Sequence, residues 1–84
     1  MTRNEIKNRL EEIIRPYVSK PEKLAEMTEQ SDLLKDLEIN SAHLVDIILD
    51  MEESFDIEID DQAAEQMLTV GQALDVTEDL LAKK

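Results

Sequence analysis

A single glycine and two prolines in 84 residues leave this chain few means of making the tight turns that a β-rich fold needs. Helices joined by a small number of connections are the economical alternative. With one Phe, one Tyr and no Trp, the packing has to come from Leu, Ile, Val and Met. At this length the core is thin and there is room for only one, so residues 1–84 are expected to form a single domain.

The apolar spacing sharpens this into elements. Thr2 and Glu5 fit a capping box, in which a hydroxyl and a carboxylate three residues apart satisfy each other's backbone N–H groups. Ile6, Leu10, Ile13 and Ile14 then share one helical face, and Pro16 should end or kink the helix, giving a first helix over roughly 3–15. Residues 19–39 show no sustained period and read as a long connection, pinned by Leu24, Met27, Leu33, Leu34 and Leu37, with one helical turn at 31–36. A second helix is predicted from Ser41 or Ala42 to about Ser54, with Leu44, Val45, Ile48, Met51 and Phe55 inward and His43, Asp46, Asp50 and Glu53 outward. Residues 56–60 read as an extended connection with Ile57 or Ile59 packed inward. Asp60 or Asp61 caps a short third helix over 62–67. Thr69 and Gln72 form a second capping box, opening a last helix whose inner face is Val70, Ala73, Leu74, Thr77, Leu80 and Leu81. The predicted fold is all-α: a small four-helix bundle, three main helices plus the short third one, with a long loop between the first and second.

Charge narrows the function. The formal net charge is −12, which opposes binding to nucleic acid or an anionic membrane surface. Seven of the nine basic residues lie between Arg3 and Lys35, and between Asp36 and Ala82 there are fourteen Asp and Glu but no Lys or Arg. That half of the chain is predicted to dock basic partners, such a face steering association more than it adds raw affinity. No cysteine is present, so disulfides, Cys-ligated metals and protein-borne thioesters are excluded. The residues Met1 to Glu5 are polar and lead into no apolar leader, and no apolar run approaches a membrane span, so a cytoplasmic monomer is expected. Asp56, Glu58 and Asp60 have the alternation of a calcium loop, but the sixth position is Asp61 instead of Gly and the twelfth Met67 instead of Glu; no metal site is assigned. No His partner or phosphate-cradling loop accompanies Ser41, so the chain is not expected to be an enzyme.

The stretch Asp36-Leu37-Glu38-Ile39-Asn40-Ser41-Ala42 is the most informative. Asn40 and Ser41 are both good helix N-caps, which places the Ser41 hydroxyl near solvent at a helix start. The partial positive charge there suits an attached phosphate.

This stretch resembles the D-L-G-x-D-S-L signature of acyl carrier proteins. The similarity continues through Val45-Asp46 and Met51-Glu52-Glu53-Ser54-Phe55-Asp56-Ile57-Glu58-Ile59, and resumes at Asp61, Ala64, Glu65 and Thr69-Val70. The resemblance implies a carrier on which Ser41 bears 4′-phosphopantetheine, transferred from coenzyme A, whose thiol holds acyl groups as thioesters. It implies as partners a phosphopantetheinyl transferase and acyl or ketoacyl synthases, acyltransferases or ligases with basic docking patches. Asp46, Asp50, Glu52, Glu53, Ala42 and His43 are then the docking candidates, and Val45, Ile48, Ile59, Ala64 and Met67 the candidates for lining an acyl cavity. Fatty-acid and other lipid synthesis, polyketide or aryl-polyene synthesis and aminoacyl transfer all remain open as pathways. Glu38 stands where the family usually has Gly, Asn40 where it has Asp, Ala42 where it has Leu, and His43 where an acid is frequent. These departures point to a specialised carrier with dedicated partners. The alternative is a non-covalent acidic adaptor in which Ser41 is only a helix cap.

Overall fold

The computed structural model describes residues 1–84. Helix α1 spans Arg3–Ile14 and opens on the expected capping box: Glu5 N–H donates to the Thr2 hydroxyl, and the Glu5 carboxylate accepts from Thr2 N–H. Pro16 does not break the chain direction at once. A 3-10 turn, Arg15–Tyr17, carries the helix on for one more turn, since proline at an early position of a turn has no N–H to lose.

The long connection holds one element that the periodicity does not reveal, the four-residue α2, Glu22–Ala25, which buries Leu24. Its remaining apolar residues anchor it as expected, Met27, Leu33 and Leu37 fully and Leu34 partly. The residues 31–36 form hydrogen-bonded turns organised by Asp32. The Asp32 carboxylate accepts from Lys35 N–H at 2.8 Å and Leu34 N–H at 2.9 Å, bonds that hold its pKa below the usual carboxylate range. Two isolated antiparallel bridges then stitch the connection down. Val18 pairs with Ile39, and Asp32 pairs with Thr69.

A 3-10 turn, Ser41–His43, leads into α3, Leu44–Phe55. Its buried stripe is Ile47, Met51 and Phe55, flanked by the half-buried Leu44 and Ile48. Val45, expected to face inward, is 63% exposed, and so is Leu49 at 56%. Six of the eight residues from 44 to 51 are apolar, more than one face can bury. Packing against α1 selects the face centred on Ile47. Asp56 closes α3 in the left-handed conformation, φ 54°, and the strap 56–60 buries both Ile57 and Ile59.

Asp60 caps α4, Asp61–Glu65, by accepting from Ala63 N–H. The capping box of Thr69 and Gln72 starts α5, Val70–Ala82, which buries Val76 in addition to Val70, Ala73, Leu74 and Thr77; Leu80 and Leu81 stay half-exposed. The Thr77 hydroxyl is satisfied inside the core by the Ala73 carbonyl at 2.8 Å. The fold is thus all-α as expected, with three long helices, and α1 packs on both α3 and α5. No helix is long and apolar enough to cross a membrane.

Arg3 ties the start of α1 to the long connection and to α5. Its guanidinium pairs with Glu29 of the long connection at 2.6 Å, with Asp75 of α5 at 3.0 Å and with Glu78. The bonds to Glu29, and next to Glu78, raise the arginine's pKa, and Arg3 in turn lowers that of Glu29. Beside this clamp lies Gly71, the one glycine. A Cβ there would stand 2.9 Å from the Glu29 carbonyl oxygen, which accepts the Gly71 N–H at 2.8 Å.

Candidate functional site

The approach to Ser41 is built by the backbone. The Val18–Ile39 bridge brings residues 38–40 against the end of the first helical segment, and the Ser19 hydroxyl donates to the Glu38 carbonyl at 3.1 Å. Glu38 takes φ 54°, a left-handed conformation, without being glycine. Ile39 is buried, which fixes the chain one residue before the cap. Asn40 is that cap: its side-chain oxygen accepts from Ala42 N–H at 2.9 Å, while its carbonyl accepts from His43 N–H. Ser41 therefore stands just inside the helical segment, exposed, and the capping role that both residues were suited to belongs to Asn40.

From Ser41 one continuous side of the helix is open. Ala42, Val45, Asp46, Leu49 and Glu53 recur at helical spacing and are all exposed. Apolar and acidic groups alternate on this stripe, with no Lys or Arg on α3 or α4. Val45 and Leu49 were not predicted to belong here. The available signal was the surplus of apolar residues in the helix.

The other docking candidates are less free. Asp50 is half-buried and accepts from the Tyr17 hydroxyl at 3.1 Å, a bond that, with burial, raises the tyrosine's pKa. His43 is exposed; its Nδ1 lies 3.6 Å from an Asp46 carboxylate oxygen, and its ring is 5.1 Å from that of Tyr17. Tyr17 thus braces the start and middle of α3 from the end of the first helical segment, a contact between residues 33 apart that local pattern does not show. Glu52 is half-buried at the border of the open stripe. Its carboxylate accepts from Ile59 N–H at 2.9 Å.

The five cavity candidates are dispersed over three depths. Ile59 and Met67 are buried, Ile48 and Ala64 are partly buried against the core, and Val45 faces solvent, which removes it from any interior lining. None of the five lines a surface pocket. The groove between α4 and α5, about 340 Å³, is floored by Ala63, Val76 and Leu80 and rimmed mainly by polar groups, among them Asp60, Asp75 and Asp79. No cluster of acidic or His side chains is arranged to hold a metal ion.

The chain matches no model of a known protein family. Comparison with individual proteins is informative. Over 75 residues it is 37% identical to an acyl carrier protein of Rubrobacter xylanophilus, covering 89% of this chain and 90% of that one. It is 36% identical to an acyl carrier protein of Coprothermobacter proteolyticus over 84 residues, the full length of both. A stretch of 46 residues reaches 48% identity with an acyl carrier protein of Desulforapulum autotrophicum, spanning 55% of this chain and 60% of that one. Because the first two alignments run through nearly the whole of both chains, and the fold is a small all-α one with an exposed serine opening its central helix, the protein belongs to the acyl carrier proteins, which are carriers and not enzymes.

Proposed function

We propose that the protein holds acyl or related intermediates as thioesters on a 4′-phosphopantetheine arm attached to Ser41, and presents them to synthases, acyltransferases or ligases. The observation that carries this reading is the exposure of Ser41 at the start of the helical segment, with the neighbouring Asn40 acting as the cap. A serine retained only as a cap would be expected to do the capping. The residues fit the group: the hydroxyl is open to a transferase, and a phosphodiester there would sit at the positive end of the segment that runs on through α3. The arm, when bound, supplies a thiol that this cysteine-free chain lacks. The chain's own residues position the hydroxyl, through Asn40 and the buried Ile39, and offer a partner the stripe Ala42, Val45, Asp46, Leu49 and Glu53.

Basic partners would read the carboxylates of Asp46 and Glu53, while Val45 and Leu49 supply apolar contact between them. His43 and Asp50 border this face, braced by Tyr17. Cargo shelter would require Ile48, Ile59, Ala64 and Met67 to part, since these side chains are packed against or within the core. A single carrier domain working as a monomer in the cytoplasm accords with this role. The test is intact mass after incubation with coenzyme A and a phosphopantetheinyl transferase. A gain of one arm, abolished in Ser41→Ala, is expected; no gain with several transferases would refute the reading.

A further inference from the structure

Glu52 organises the connection between α3 and α4. Three backbone N–H groups of the connection between α3 and α4 end on this one residue. The Glu52 carbonyl accepts from Asp56 N–H and from Ile57 N–H, the latter at 3.1 Å, and its carboxylate accepts from Ile59 N–H at 2.9 Å. The strap thus held drives Ile57 and Ile59 into the core and ends at Asp60, whose side chain caps α4. Helix α4 needs that support. It is five residues long, and none of the five is fully buried. A helix so short has no stability of its own. Its far end is secured separately, where Leu33 N–H donates to the Leu68 carbonyl and Leu68 N–H donates to the Gln72 side chain.

We propose that Glu52 is a latch: through Ile59 it seats α4 on the bundle, and a cationic group of a docked partner that takes over the Glu52 carboxylate releases α4. Glu52 is only half-buried and borders the open stripe next to Val45 and Leu49, so a guanidinium arriving there competes with a neutral N–H for its carboxylate. A charged donor is the stronger partner. Docking is thereby coupled to the mobility of α4. The latch itself stands on the hydrogen bonds alone; its coupling to partners rests on the docking face proposed above.

Amide hydrogen exchange on the full chain separates these claims. In Glu52→Ala, the amides of Ile59, Ala63 and Ala64 should exchange faster by about tenfold or more, the range expected for losing a charge-assisted hydrogen bond. Ile57 should keep its protection, because its acceptor is the backbone carbonyl that alanine retains. Protection in α1 and α5 should also persist. Glu52→Gln, whose side-chain oxygen still accepts, should restore protection at Ile59. Unchanged exchange at Ile59 and α4 in Glu52→Ala, or uniformly faster exchange throughout the chain, would overturn the latch. Hexa-arginine, added at low ionic strength, should speed exchange at Ile59 and α4 in the parent but add nothing in Glu52→Ala. Binding without that effect, or no binding, would overturn the coupling. Modification of Ser41 is read separately by mass, so failure of the latch leaves the carrier reading testable, and the reverse.

Discussion

Glu38 holds a left-handed backbone conformation in which a Cβ is crowded by its own carbonyl, at a cost of about 1–2 kcal/mol for an L-residue. The Val18–Ile39 bridge and the Ser19 bond to the Glu38 carbonyl impose that conformation. Glu38→Gly should therefore stabilise the protein by about 1 kcal/mol in urea unfolding. A neutral or destabilising result would mean that the loop does not require the positive φ. Two residues on, the division of labour at the helix start gives a paired expectation. Asn40→Ala should cost about 1 kcal/mol through loss of the cap, whereas Ser41→Ala should leave stability unchanged within about 0.5 kcal/mol. The sequence alone admits either residue as the cap. What decides is the register imposed by Ile39, whose burial is a tertiary fact.

Among the elements, those governed by neighbours in sequence were the legible ones. Both capping boxes, the Asp60 cap and the inward turn of the 56–60 strap follow from residues within a few positions of one another. The phase of α3 did not follow, because apolar residues at 44, 45, 47, 48, 49 and 51 permit more than one buried stripe until α1 is packed against it. The burial of Val76 in α5 is hidden in the same way, and α2 is too short to leave a period. The Tyr17–Asp50 and Glu52–Ile59 bonds change the meaning of two docking candidates, yet each depends on how separate segments meet. Close approach of elements also explains the one glycine. In Gly71→Ala the added methyl meets the Glu29 carbonyl, so the start of α5 and the long connection must move apart. A loss of about 1–3 kcal/mol is expected in thermal or urea unfolding. A stable Gly71→Ala would show that this contact has slack.

For the whole molecule, a net charge of −12 over so small a body makes self-repulsion a standing cost. Raising ionic strength from about 0.01 M to 0.5 M shortens the screening length from about 30 Å to well under 10 Å and should raise Tm. A falling Tm would instead identify the Arg3 clamp as the dominant electrostatic term. Acid acts on the paired carboxylates, the clamp's Glu29 among them. Glu29, held low by Arg3, Glu5, held low by Thr2, and Asp32, held low by the Lys35 and Leu34 amides, all have folded pKa values below their ordinary ones. Their contribution is present above the unfolded carboxylate pKa and is lost as pH falls through the lowered folded values. The loss should thus appear below about pH 4 and be smaller in Glu29→Gln. Reversing charge at Asp46 and Glu53 should weaken partner-enzyme turnover and its salt dependence while leaving the bundle folded by circular dichroism, because both side chains are exposed and neither is tied to the core. Unchanged turnover would remove the docking face from the account.

The most direct measurement is the mass of protein purified from its own host, resolved to the fragment that contains Ser41. The expected result is a phosphopantetheine arm on Ser41, with or without an acyl cargo that would itself name the pathway. An unmodified Ser41, both in that material and after exposure to coenzyme A with several transferases, would contradict the claim that this serine bears the carrier arm.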